Sequence, residues 1–282
     1  MKVVSSLNDL WTERTNLAKP IGLVPTMGFL HDGHLSLVRR SIRDCTSTVV
    51  SIFVNPTQFG PQEDLTTYPR DLPRDLKMLK EIGVNLVWVP ELGDMYPPSY
   101  QTWITLDEVT KPLEGSMRPG HFRGVATVVA KLFNAVQPQK AFFGQKDAQQ
   151  AVVIRRMVKD LNYPIQVVIC PIRREPDGLA MSSRNVYLDP AERKAALCLS
   201  RALAAAREKY ENGERNGDKL RQEMLRVLSA EPLANVQYVS CADQDDLHEL
   251  DTVEDRALLS LAVYIGKTRL IDNTLLPQDP EA

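Results

Sequence analysis

The stretch that most constrains the fold runs from Ile21 to Arg43. Ile21 to Val24 suit a buried strand, the turn Pro25-Thr26-Met27-Gly28-Phe29-Leu30-His31-Asp32-Gly33-His34 follows, and Leu35, Leu37 and Val38 then open an amphipathic helix ending near Arg43. This order puts a helix N-terminus just past the end of a strand. Unpaired backbone N–H groups and the positive end of the helix macrodipole favour an anion there, so a phosphate needs no special side chain. Gly28 and Gly33 let the backbone approach a ligand closely. Two of the chain's four histidines, His31 and His34, stand three residues apart, so a helical turn puts both imidazoles on one face, able to donate to phosphate. A plain helix cap with two surface histidines accounts for the same letters. A zinc site does not, because the helical zinc signature spaces its histidines four apart around a Glu and no Cys lies nearby.

The rest of the N-terminal half repeats the pattern. Apolar strand-like runs at Ile21 to Val24, Thr48 to Val54, Leu86 to Val89, Ala141 to Phe143 and Ile165 to Cys170 alternate with helical patterns at Leu35 to Arg43, Leu72 to Ile82, Val125 to Val136 and Gln149 to Leu161. Such alternation predicts an α/β fold, a Rossmann-like parallel sheet with helices on both faces. No GxGxxG appears, so a dinucleotide version is not indicated. Ligands of these sheets collect beyond the strands' carboxyl ends, where Met27 to His34, Asn55 to Phe59 and Gly144 to Asp147 are expected to converge. After Cys170 the texture changes to helical stretches at Pro190 to Glu211 and Lys219 to Leu228, then strand candidates at Val236 to Ser240, Ala257 to Tyr264 and Thr268 to Ile271. The expected domains are 1–172, binding ligands, and 173–282, a smaller C-terminal α+β domain acting as a lid. Pro171 to Asp177 is the expected hinge and Leu276 to Ala282 a frayed tail.

Composition narrows the partners. With 43% hydrophobic and 25% charged residues the chain reads as globular, and no apolar run approaches the roughly 18 residues of a membrane span. A formal net charge of −2 argues against a nucleic-acid partner. Cys45, Cys170, Cys198 and Cys241 form no CxxC pair, and Met1 to Leu10 carry no secretory pattern, so a reducing, cytoplasmic setting is expected.

Three further segments offer polar chemistry. Lys146, after an apolar strand and Gly144, can reach phosphate oxygens as a point charge beside Asp147, although a surface Lys-Asp pair reads the same way. Met181-Ser182-Ser183-Arg184 supplies two hydroxyls and a guanidinium suited to polyphosphate. Gln58 and Gln150 are neutral groups able to hold a hydroxyl and a carboxylate together, and ordinary surface amides fit equally. Arg118, His121 and Arg123 form a basic cluster between Pro119 and a helix start; closure over a substrate is one reading of it, and a solvated loop outside the site is the expectation.

Taken in order, Val24 to His34, Ser51 to Phe59, Arg118-Pro119-Gly120-His121-Phe122-Arg123-Gly124-Val125, Phe143 to Asp147 and Met181-Ser182-Ser183-Arg184-Asn185 resemble the pantoate–beta-alanine ligase family. Its His-x-Gly-His signature places it in the nucleotidylyltransferase superfamily. The resemblance implies an ATP-dependent, AMP-forming ligase that joins pantoate to β-alanine through an acyl adenylate, with ATP as substrate, Mg²⁺ accompanying it, and a homodimer. It implies an ATP set of Met27, Gly28, Phe29, Leu30, His31, Asp32, Gly33, His34, Gly144, Gln145, Lys146, Asp147, Arg173, Met181, Ser182, Ser183 and Arg184. Within that set His34, His31, Lys146 and Arg184 are the catalytic candidates, His34 foremost as donor to a phosphate oxygen. Gln58, Gln150, Asn55 and the Met27 backbone form the implied substrate set, and no protein metal ligand is implied. Two positions depart from the family, which usually has Glu and an aromatic residue where this chain has Gln145 and Ala148; activity is expected to survive. A transferase passing AMP to a phosphorylated acceptor and a non-enzymatic nucleotide sensor are the rival readings.

Overall fold

The computed structural model describes residues 1–61 and 63–277. They divide into two compact units, one of Met1–Gly144 with Val153–Cys170 and one of Gln145–Val152 with Pro171–Ala282. The boundary falls after Cys170, and the short segment following β-strand Lys140–Gly144 groups with the C-terminal unit, which the linear division at residue 172 did not anticipate.

The first unit is built from β1 (Lys2–Val4), α1 (Leu7–Arg14), β2 (Ile21–Thr26), α2 (Asp32–Asp44), β3 (Ser47–Ile52), α3 (Leu72–Glu81), β4 (Leu86–Trp88), the short α4 (Leu92–Met95) and α5 (Glu114–Met117), α6 (His121–Val136), β5 (Lys140–Gly144), α7 (Ala148–Asp160) and β6 (Gln166–Cys170). The first residues of α7 group with the second unit. All six strands are parallel, in the order β1-β4-β3-β2-β5-β6. The order reverses between β2 and β5, and the crevice at such a switch point is where open α/β sheets bind ligands. Near-continuous burial along β3 explains why these strands read as apolar runs rather than alternating ones. Leu30, Leu35, Val38, Val50, Leu79, Val87 and Phe142 form the core beneath.

Two elements escaped sequence analysis for a clear reason. β1 is three residues long and mostly exposed, and it exists only because Lys2, Val3 and Val4 pair with Leu86, Val87 and Trp88 at the sheet edge. In α1 Leu10 alone is buried, leaving no apolar stripe to detect.

The second unit contains α8 (Pro190–Ala195), α9 (Leu197–Glu211), α10 (Gly217–Ser229), β7 (Ala234–Ala242), β8 (Ala257–Ile265) and β9 (Thr268–Leu276). The strands form an antiparallel sheet, β7-β8-β9, against which α9 and α10 pack around Leu199, Leu203, Leu220, Met224, Leu259 and Leu261. β9 runs past the expected Ile271 to Leu276, which is 1% exposed, so the chain is not frayed there; residues 278–282 of the expected tail lie outside the described residues. The unit boundary falls at the start of the expected hinge, Pro171 to Asp177, within which Arg174 pairs with Ala180 in an antiparallel bridge and Glu175 N–H donates to Leu179 O. Among the described residues no helix is long and apolar enough to cross a membrane.

α2 packs tightly on the sheet at Gly22. A Cβ there would lie 2.2 Å from Ser41 Oγ, itself bonded to Thr48 Oγ1 at 2.8 Å, and 3.0 Å from both Cys45 Sγ and Phe142 Cε2. Gly22→Ala should therefore destabilise the protein by about 1–3 kcal/mol through overpacking. Urea unfolding checks this, and an unchanged midpoint would show that α2 can yield.

Candidate active site

The β2–α2 turn is held by a carboxylate from another helix. α3 starts at an Asp71 cap, whose side chain accepts from Arg74 N–H, and so brings Asp75, 1% exposed, under the turn. Asp75 Oδ2 accepts from Phe29 N–H at 2.7 Å and Oδ1 from Leu30 N–H at 2.8 Å. Gly28 and Phe29 take left-handed conformations, φ 82° and 49°, which turn these two N–H groups inward. A Cβ on Gly28 would sit 3.1 Å from Asp75 Oδ2. Burial pushes the Asp75 carboxyl above its ordinary pKa, against the pull of the two N–H groups and Arg74. The expectation that backbone N–H groups of this turn wait for a phosphate is corrected here: those of Phe29 and Leu30 already hold an internal anion. Asp75 had a detectable signal, since it falls on the Leu72, Leu76 and Leu79 stripe of α3, where an acid is out of place.

His31 caps α2. Its Nδ1 accepts from Gly33 N–H at 3.2 Å, and His34 Nδ1 accepts from His31 N–H at 3.4 Å, a reciprocal box that starts the helix at Asp32 rather than Leu35. An Nδ1 used as acceptor leaves the proton of a neutral imidazole on Nε2, so the backbone selects the tautomer of both rings. The rings lie 4.1 Å apart by centroids, tilted 38°. Capping and donation to a ligand are thus compatible roles, one on each ring nitrogen. Asp32 is exposed and faces Arg39 at 3.8 Å.

Beyond β3, Asn55 caps the 3₁₀ turn Pro56–Gln58. Asn55 Oδ1 accepts from Thr57 N–H and Oγ1–H, while Nδ2 donates to Gln58 Oε1 and Gly124 O, each at 3.2 Å. Gln58 Nε2 in turn lies 3.0 Å from Met27 Sδ. The structure therefore brings Met27, Asn55 and Gln58 together, Met27 through its thioether as well as its place in the chain. α6 can press on this turn because it carries glycine: a Cβ on Gly124 would lie 2.3 Å from Thr57 O.

Arg118 and His121 are not on a solvated loop, which corrects the sequence expectation. Arg118 forks onto Glu63 with two 2.7 Å bonds, and His121 Nδ1 lies 2.8 Å from Gln58 O, with Arg118 Nη1 3.1 Å from Nε2. Gln58 is positioned by its backbone through this cluster. Burial first, and Arg118 second, bring the His121 pKa down to about 4. Arg123 stacks over Trp103 at 4.3 Å. Thr57, Phe59, Trp103, Arg118, His121 and Arg123 border a cleft of about 190 Å³.

In the second unit, Gln145–Asp147 form a 3₁₀ turn leading into α7, with Lys146 and Gln150 half-buried and Asp147 exposed. Asn273 bonds to this turn, and the Gln145 amide donates to Asn273 Oδ1. Ala148 is buried. Arg173 O accepts from Met181 N–H, and Ser182 Oγ caps a second 3₁₀ turn, Ser183–Tyr187, by accepting from Arg184 N–H. Ser183 is buried. Among the described residues no cluster of three or more His, Cys, Asp or Glu could hold a metal ion.

A parallel sheet with its switch point beside a histidine-capped helix defines an α/β nucleotide-handling protein. The comparisons narrow the class. A sequence profile described as Pantoate-beta-alanine ligase matches residues 1–275. The pantothenate synthetase of Roseiflexus sp. (strain RS-1) is 61% identical over 276 residues, 98% of this chain and 99% of that protein. The crystal structure of pantothenate synthetase from Thermus thermophilus matches with a TM-score of 0.93 at 46% identity, covering 97% of this chain and 98% of that one. Pantoate-beta-alanine ligase from Francisella tularensis, complexed with beta-gamma ATP and beta-alanine, matches with a TM-score of 0.81 at 34% identity over 99% of each chain. The chain belongs to the pantoate–beta-alanine ligase family.

His121 generates a pH prediction. Its folded pKa of about 4 lies below the ordinary 6.5, so the unfolded chain takes up the proton first as pH falls. Its contribution to stability is complete above pH 6.5 and declines by about 1.4 kcal/mol per pH unit between there and 4. His121→Asn, which retains a donor toward Gln58 O, should flatten that slope in urea unfolding across roughly pH 7 to 4.5. Parallel slopes for parent and variant would mean His121 is not held neutral.

Proposed function

We propose that this chain condenses (R)-pantoate with β-alanine at the expense of ATP, as its family does, with the residues above in specific roles. Pantoate carboxylate attacks the α-phosphorus of Mg-ATP and displaces pyrophosphate. The amine of β-alanine then attacks the acyl carbon of the pantoyl adenylate, and AMP leaves. No covalent enzyme intermediate is required, so catalysis is positioning plus stabilisation of charge developing on the phosphates. The observation that carries the reading is the single turn Met27 to His34. At one end Met27 touches Gln58; at the other, His31 and His34 are both held as Nε2–H donors.

In this reading His34, with His31, donates to phosphate oxygens, Lys146, Ser182, Ser183 and Arg184 serve the polyphosphate, and Gly144, Gln145, Asp147, Arg173 and Met181 line the nucleotide. Gln58, Asn55 and Gln150 orient pantoate. Neutral amides suit that task, because a guanidinium forked onto the attacking carboxylate would occupy the lone pairs needed for attack. The same feature disfavours AMP transfer to a phosphorylated acceptor, since Arg118, which contacts the Gln58 carbonyl, is paired with Glu63. The magnesium is part of the substrate, carried on the phosphates and completed by water. The reading includes a cytoplasmic homodimer, supported by the family resemblance and, for the compartment, by four buried free cysteines. Sedimentation tests the dimer.

Pyrophosphate release should depend on pantoate, and sustained AMP and pantothenate formation should additionally require β-alanine. ATP turnover without an amide product would refute the ligase assignment. His34→Ala should lower kcat by about 10²–10³-fold, as for loss of one preorganised donor to a developing oxyanion. Near-parental turnover would remove His34 from the chemistry.

A further inference from the structure

Asp272 and Asn273 are adjacent polar residues of β9, 2% and 3% exposed, with no part in the chemistry described so far. Burial of such groups is costly unless their donors and acceptors are matched. Here the Gln145–Asp147 turn matches Asn273 and Arg174 matches Asp272. Asn273 Nδ2 donates to Gln145 O at 3.0 Å and Lys146 O at 2.9 Å, and its Oδ1 accepts from Gln145 Nε2 at 3.2 Å. The amide has one workable orientation, since a flip would set its oxygen against two carbonyls. Asp272 forks onto Arg174 at 2.7 and 3.0 Å, and Arg174 Nη1 also donates to Gly178 O at 3.1 Å. Arg174 pairs with Ala180 in the hairpin that continues directly into Met181 to Arg184. Asn273 N–H donates to Asp272 Oδ1 at 2.8 Å, which links the two arms.

We infer that Asp272 and Asn273 are a positioning pair for the adenylation step, one dipeptide setting both the turn that carries Lys146 and the hairpin that presents Ser182, Ser183 and Arg184. The inference rests on the reading of those residues as phosphate-directed. Neither member touches reacting atoms; each fixes the backbone from which a longer side chain reaches. A displacement of about 1 Å in such a group costs on the order of 10²-fold in rate. Sheet residues hold a site more precisely than loops do, and here both loops are tied to one strand.

The test is a pair of double-mutant cycles, each read by kcat and KM for ATP and accompanied by thermal unfolding. Asn273→Ala should lower kcat/KM for ATP by about 10–100-fold and should add little in the Lys146→Ala background. Asp272→Asn should behave in the same way against Arg184→Ala. Asn273→Asp keeps size but replaces the donor with an oxygen facing two carbonyls, so it should be no better than Asn273→Ala; recovery of activity would indicate space-filling alone. If Asn273→Ala does not fold, Gln145→Ala, which deletes a single bond to Asn273, takes its place in the cycle. Additive effects in either cycle, or a parental Asn273→Ala, would overturn the positioning role while leaving Lys146 in place. A parental Lys146→Ala would instead overturn the reading on which the proposal depends.

Discussion

The two bonds from Phe29 and Leu30 to Asp75 set the geometry on which the site residues of the first unit depend. A strand-to-helix turn with two successive positive-φ residues is unfavourable in isolation, the more so because one of them is Phe29. The buried carboxylate offsets that cost by satisfying both inward N–H groups, and Gly28 suits its position because φ is 82° and a Cβ would lie tightly, 3.1 Å, from both Asp75 Oδ2 and Ile52 Cγ2. With the turn fixed, His31 falls where it can cap α2, and His34 falls one turn on to complete the box. The tautomer of both imidazoles follows from the caps. Asp75 of α3 thereby holds the turn from which both caps project.

A second consequence concerns what kind of anion site this is. Had the N–H groups of Phe29 and Leu30 been open, phosphate affinity would have come from the backbone and the helix dipole. Because Asp75 holds them, recognition in the proposed reaction shifts to side chains: His31 and His34, with Lys146, Ser182, Ser183 and Arg184. Donors fixed in advance where charge develops favour the transition state over the ground state, and in the proposed reaction the caps that set both imidazoles supply that fixing.

How much was legible in the sequence follows from where each constraint lies along the chain. The central strands and long helices could be read because burial on both sheet faces leaves apolar runs and amphipathic stripes. His31, His34, Met27, Asn55 and Gln58 were visible as parts of contiguous blocks. β1 was not, since its stability comes from pairing with the distant β4, Lys2 against Leu86. Asp272 and Asn273 were missed because their partners, the Arg174 side chain and the Gln145 and Lys146 carbonyls, lie far off in sequence and leave no local spacing, whereas Asp75 left only the misplaced acid on the α3 stripe and nothing that names Phe29 and Leu30 as its partners. Arg118 and His121 were assigned to solvent because three basic residues around a Pro-Gly pair look like a loop; Glu63 and the Gln58 carbonyl give them a buried, neutralised setting instead.

The same contrast explains the departure at Gln145. Considered alone, Gln145, where the resemblance implied Glu, lacks a negative charge in a turn that the proposed reaction gives to ATP. In this chain the position also faces Asn273, whose Nδ2 is committed to two carbonyls and whose Oδ1 can only accept. A side-chain amide at 145 supplies the missing donor, whereas an ionised carboxylate there would place oxygen against oxygen unless it turned away. Gln145 is therefore consistent with its local network. In the proposed reaction its consequence for ATP would run through the orientation of the Lys146 turn.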